Sequence, residues 1–160
     1  MALTQIIGSG VAIDAKPNVA FQVEATDTDQ DISATTTTLL EWESVELDTG
    51  SYWDSSNNRY TPQVAGWYEV GFTLRLKYDA PPVGLIRLFL YKNGAAYQEV
   101  LYQLSTDYFT NGSRTFGKVM VQLNGSTDYI DARVYSDEAG TAHDTTSQPS
   151  RFFGSLIVPT

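Results

Sequence analysis

The sequence contains no cysteine, which excludes disulfide staples, zinc–thiolate sites and thiol nucleophiles. It has a single histidine, His143, too few for a histidine-based metal cage. Basic residues are scarce: ten lysines and arginines stand against nineteen aspartates and glutamates, for a net charge of −9. Such a chain repels a phosphate backbone, so no nucleic-acid partner is expected. No apolar run approaches the ~18 residues of a membrane span, and no membrane partner is expected. Met1–Gly8 has neither the basic cluster nor the apolar h-region of a secretory signal, which predicts synthesis in a cytosol. No Gly-rich phosphate loop and no Gly-x-Ser-x-Gly elbow occur.

What remains is a chain of 160 residues, 42% apolar and 12% aromatic, enough for one domain with one core. Its apolar residues recur with a period of two. In 67–76, Tyr68, Val70, Phe72, Leu74 and Leu76 fall on one face and Glu69, Thr73 and Arg75 on the other, a pattern a helix would scatter around its circumference. The same alternation predicts strands over 117–123 (Val119, Val121, Leu123) and 129–135 (Ile130, Ala132, Val134). Turn signals separate the runs at Asn57-Asn58, Pro81-Pro82, Asn93-Gly94, Asn111-Gly112, Asn124-Gly125 and Ala139-Gly140. Nowhere does a capping residue lead into a helical stripe. The expectation is an all-β sandwich or barrel. The threonine run 35–38 reads as a polar loop or an edge strand.

Two segments, 85–91 and 152–158, are apolar on both faces and need cover on both sides. One face fills the sandwich; the other is expected to meet another subunit, through Leu85, Phe89, Tyr91 and Phe152. Residues 1–18 lack alternation but carry Leu3, Ile6, Ile7, Val11 and Ile13, and read as a frayed lead-in or as an extended arm that docks on a partner.

Candidate chemistry is thin. Asp27-Thr28-Asp29-Gln30-Asp31 begins like a calcium loop, but Ile32 stands where the glycine is needed and Thr38 where the bidentate glutamate is needed. No metal or other cofactor is expected. His143-Asp144 could orient a base toward Ser147 or Ser150, but the segment 139–150 is a polar loop. No catalytic residue is assigned.

Several landmarks, in order, resemble the complement C1q-like and tumour-necrosis-factor-like jelly-roll superfamily. Val19-Ala20-Phe21-Gln22-Val23 looks like its first strand. Tyr60-Thr61-Pro62, followed by Ala65-Gly66-Trp67-Tyr68, is similar to its aromatic-x-Pro and Ala-Gly-x-Tyr signature. Lys92-Asn93-Gly94 is similar to its hairpin, Val119–Leu123 to the next apolar strand, and Arg151–Ile157 to its closing strand. The chain departs from the pattern at Leu123–Asp128, where the family has Gly-Asp, and nothing functional is carried through that loop. The resemblance implies a ten-strand jelly-roll β-sandwich over 19–160, preceded by an arm at 1–18. It also implies a homotrimer without enzymatic activity.

Animal members of the superfamily usually ride on collagen stalks behind signal peptides, and this chain shows neither. Versions of the fold also look like parts of bacterial viruses. The leading expectation is a capsid decoration (cement) protein: a homotrimer made in the host cytoplasm and held on the outer capsid surface of the virion. Its arm would attach it to the major capsid protein. The alternative is the receptor-binding head of a phage tail or fibre, using loops such as 105–115 and 136–150 against a cell-surface glycan. An isolated bacterial ligand-like module ranks third.

Overall fold

The computed structural model describes residues 4–7, 11–14, 17–26, 29–78, 84–105, 113–143 and 149–160, with residues 4–7, 11–14, 105 and 113 described by their backbone alone. Among them are fifteen strands and no helix. They are β1 (Thr4–Ile7), β2 (Val11–Asp14), β3 (Ala20–Ala25), β4 (Gln30–Ile32), β5 (Thr36–Leu39), β6 (Ser44–Asp48), β7 (Trp53–Asp54) and β8 (Arg59–Tyr60). The longer ones follow: β9 (Gly66–Lys77), β10 (Gly84–Lys92), β11 (Ala95–Ser105), β12 (Ser113–Leu123) and β13 (Ile130–Ser136), then β14 (Gly140–Ala142) and β15 (Ser150–Pro159).

One main sheet runs β4-β14-β9-β15-β3-β6, with β12 also paired to β9; the other runs β11-β10-β13-β8-β7, with β5 also paired to β13. All described pairings are antiparallel. An antiparallel sheet can bury one face and wet the other, which the period-two pattern requires. On β9 the side chains of Tyr68, Val70, Phe72, Leu74 and Leu76 are buried, while Trp67, Glu69, Thr73 and Arg75 point outward. Ile86, Leu88 and Leu90 of β10, and Ile130, Ala132 and Val134 of β13, complete the opposite wall of the core.

Aromatic rings knit the two walls together. Phe21 stacks on Tyr60 with centroids 4.0 Å apart and meets Phe152 edge-on at 5.0 Å; Phe152 in turn contacts Trp42, Trp53 and Phe72. Phe152, expected at a subunit contact, is 0% exposed and lies at the centre of this cluster. The period-two phase of β15 decides it: Phe152, Gly154 and Leu156 face inward, and Phe153 is the phenylalanine that faces outward.

Two buried tyrosine hydroxyls are tied off, whereas that of Tyr60 has no hydrogen-bond partner. Tyr68 Oη donates to the Val64 carbonyl at 2.7 Å, and Tyr78 Oη donates to Ser136 Oγ at 2.9 Å. Burial pushes the Tyr68 phenol up to about 12, so it stays a donor throughout the physiological range.

The Asn93-Gly94 turn joins β10 to β11 with φ of +53° and +79°, as a primed two-residue hairpin demands. The divergent loop before β13 is a polar knot. Asn124 Oδ1 accepts from the N–H groups of Ser126, Thr127 and Asp128. Asp128 pairs with Lys92 at 2.8 Å and accepts from the Asn93 amide at 2.7 Å. Pro81-Pro82 and Asn111-Gly112 lie outside the described residues.

Three features differ from expectation. The sandwich has more than ten strands because its crossings break into short paired pieces, such as the two-residue β7 and β8 and the three-residue β4 and β14. Residues 4–7 and 11–14 pair as a hairpin, Thr4 opposite Asp14 and Ile7 opposite Val11, rather than forming a single extended arm; this hairpin is a sheet of its own. β11 extends through a region where no alternation is visible in the sequence. Its register against β10 shifts at Leu88/Phe89 and again at Leu90/Tyr91, and each bulge resets the phase of the apolar pattern. The threonine run forms β5, an edge strand against β13.

Candidate interaction surfaces

The outward face of β12-β9-β15 is built from the residues that alternate with the core. Register places Phe116 beside Thr73 and Arg151, Lys118 beside Gly71 and Phe153, and Met120 beside Glu69 and Ser155. Gly71 matters here because it has no side chain. A Cβ at that position would come within 3.0 Å of the Phe153 ring, so the glycine lets Phe153 lie against the sheet, where it stacks on Phe116 with centroids 6.5 Å apart. Phe116 remains 53% exposed, Met120 is exposed further along β12, and Trp67, Ile157 and Val158 are exposed toward the far end of β9 and β15, where Val158 pairs with Trp67. The Lys118–Glu69 ion pair, at 3.2 Å, sits in the middle of this patch.

The outward face of β10-β11-β13 is of another kind. It brings together Leu85, Phe89 and Tyr91, all half-buried. Two arginines lie over their aromatic rings. The Arg87 guanidinium is 4.8 Å from the Phe89 centroid and 5.9 Å from that of Tyr102; Arg133 is 4.1 Å above Tyr91. Each arginine also holds a carboxylate: Arg87 Nε donates to Glu99 at 2.6 Å and Arg133 Nε to Asp131 at 2.7 Å. The Asp131 hydrogen bond holds the Arg133 guanidinium above its ordinary value. Tyr135 Oη donates to Asp137 at 3.0 Å, and the other Asp137 oxygen accepts from the Leu85 N–H at 2.9 Å. At the β11 edge Tyr102 and Leu104 stand exposed.

Three of the four residues expected at a subunit contact thus share one face, while Phe152 belongs to the core. The apolar residues missed by sequence reading, Phe116 and Met120, carry a readable signal: they occupy the positions of β12 that alternate with Thr115, Gly117, Val119, Val121 and Leu123. Leu3 lies outside the described residues, and Ile6, Ile7, Val11 and Ile13 lie on the β1–β2 hairpin.

The weak catalytic and metal candidates come apart in space. Ser150 Oγ accepts from the Arg75 backbone N–H at 3.0 Å, and neither ring nitrogen of His143 has a hydrogen-bond partner. Asp144 and Ser147 lie outside the described residues. Asp31 pairs in β4, Asp29 lines a cavity with Glu41 and Glu43, and Asp27 lies outside the described residues. Among the described residues, no three histidine, aspartate or glutamate side chains are grouped to hold a metal ion.

Comparison with known proteins places this architecture. No protein-family model and no curated protein matches the sequence. Solved structures do match. The globular domain of zebrafish complement 1qA aligns with a TM-score of 0.60 at 15% identity, over 90% of this chain and all of that one. Murine APRIL aligns with 0.63 at 8% identity, over 88% of this chain and all of that one. The Eiger TNF of S. frugiperda aligns with 0.62 at 12% identity, over 89% and 94%. The fold is a jelly roll of the C1q/TNF type.

Proposed function

We propose that this chain is a non-enzymatic assembly protein of a bacteriophage virion, a homotrimer that decorates the outer surface of the capsid. The observation that carries the self-association is the outward face of β12-β9-β15. It exposes Phe116, Met120, Trp67, Ile157 and Val158 on one wall of the sandwich, and an apolar patch of this kind is a contact surface in search of a partner. A second copy is the partner of choice, since closed symmetric association of identical chains is the common state for such faces. The fold type supports three copies. The virion reading is supported by a chain without cysteine, and by a β1–β2 hairpin that pairs with no other strand among the described residues. Three such hairpins on one trimer would grip a symmetric capsid junction multivalently, so modest contacts per hairpin suffice.

Light scattering on the purified protein tests the first half: the expected mass is three times 17.7 kDa, and a clean monomer at micromolar concentration overturns it. Deleting residues 2–17 tests the second half. The shortened protein should keep its oligomeric mass and its β-type circular dichroism yet no longer stay on undecorated phage heads. Undiminished retention would place attachment on the jelly roll itself. A shortened trimer that binds cells and never heads would replace decoration with receptor binding.

A further inference from the structure

At the rim between the two sheets lies a cavity of about 230 Å³, formed by the crossing that carries the chain from β5 to β6, the β7–β8 turn, and His143 just after β14. The residues that line it are rich in acceptors: Asp29, Glu41 and Glu43, with Gln30, Ser55 and Asn58. Part of this wall is held in place by its own hydrogen bonds. Gln30 Nε2 donates to the Leu39 carbonyl at 2.7 Å and its Oε1 accepts from the Glu41 N–H at 3.1 Å. Asn58 Oδ1 accepts from the Trp42 N–H at 2.9 Å, and Glu43 Oε2 from the Thr26 N–H at 3.1 Å.

His143 is the exception. It is 2% exposed, sits at a φ of +65°, packs against the Trp42 ring at 5.0 Å, and leaves both ring nitrogens without a hydrogen-bond partner. A buried polar ring without partners costs on the order of 1–3 kcal/mol, and native structures keep few of them without a use. Burial holds the imidazole down to about 4, against the pull of Glu43, Asp29 and the Glu41 carbonyl. At neutral pH the ring is therefore uncharged and offers one lone pair to a donor.

We infer that this cavity binds an organic ammonium group, presented either by a free polyamine or by a lysine side chain of a partner. An ammonium carries three donors and no acceptor, the complement of a wall made of carboxylates and an open imidazole lone pair. A bare divalent ion fits less well, because the described carboxylates and the histidine do not converge as metal ligands.

His143 is the only histidine, so its ring gives a single set of imidazole resonances and serves as the reporter without any substitution. Four probes would be titrated into the intact protein: spermidine, Nα-acetyl-lysine methylamide, its uncharged analogue Nα-acetyl-norleucine methylamide, and calcium chloride. The expected result is a saturable shift with an ammonium probe at about millimolar concentration or below, and binding about fivefold weaker in Glu41→Gln. Glu41 is exposed, so that variant should melt like the parent protein. A response to spermidine alone identifies a free polyamine as the source; a response to the blocked lysine identifies a protein side chain. No shift with either up to about 10 mM overturns the inference. So does an equal response to the norleucine analogue or to calcium, or affinity unchanged in Glu41→Gln.

Discussion

The two outward faces of the sandwich carry similar numbers of large apolar side chains and treat them differently. On β10-β11-β13, arginines lie over the rings of Phe89 and Tyr91 and clamp carboxylates, so that these rings are half covered by their own neighbours, while Tyr102 and Leu104 at the β11 edge stay exposed. On β12-β9-β15, Phe116 and Phe153 stack on each other and the surrounding apolar groups stay open. A guanidinium over an aromatic ring satisfies that face within one protomer, because the cation keeps its contact with water while its planar body covers carbon. The second face has a lysine–glutamate pair at its centre and an Arg151–Glu24 pair near one end, and among the described residues no cation stands over its rings.

The comparison breaks first if inward and outward phase on β15 is misjudged. Phe152→Ala should cost about 3–5 kcal/mol, because it empties the centre of the aromatic cluster. Phe153→Ala should cost under about 1 kcal/mol in folding and weaken association instead. Chemical denaturation of both variants checks this; equal losses would put Phe153 in the core as well.

Acid sets the window in which the faces can be compared. His143 is neutral in the folded protein down to about 4, whereas in the unfolded chain it takes up a proton near 6.5. The unfolded state binds more protons between those values, so stability is full above about pH 6.5 and falls as pH drops toward 4, by about 3 kcal/mol. Urea melts at a series of pH values should show this loss, and His143→Phe should flatten it. A flat profile in the parent protein would mean that the ring charges without cost.

A charge placed on each face sharpens the contrast. Phe116→Glu should weaken self-association by about a hundredfold, or ~2.7 kcal/mol, and Tyr102→Glu should leave the mass in solution unchanged. The opposite pattern in light scattering would move the subunit contact to the arginine-covered face.

The smallest effects compare two ion pairs. Arg133→Ala strips the partner from Asp131, which is 2% exposed, and should cost about 2 kcal/mol. Lys118→Ala breaks a solvent-exposed pair with Glu69 and should cost under about 0.5 kcal/mol. Thermal melts resolve the difference, and equal shifts would show that the arginine cover contributes no more than an ordinary surface pair.

Much of this was legible in the chain. The phase of β9, β12 and β13 could be read directly, because a strand with one buried face writes its environment into alternate residues. The Asn93-Gly94 turn could be read because few residues other than asparagine and glycine adopt positive φ at two successive positions. β11 was not legible, since its two register shifts break the alternation that would have marked it. Nor was the place of Phe152 rather than Phe153, since two adjacent phenylalanines differ only by which side of the pleat the strand turns inward.

Composition and periodicity by themselves determined that this chain is all-β and carries no thiol chemistry, because those properties depend on residue type and on neighbours in sequence. Tertiary structure alone decided which apolar faces are covered. The cover comes from residues far apart in the chain: Arg133 above Tyr91, Phe153 above Gly71 and across to Phe116. It also decided that His143 would be sealed against Trp42 beside the carboxylates of Glu41 and Glu43. A contact between residues a hundred positions apart is set by the pairing of strands, and no local pattern encodes it.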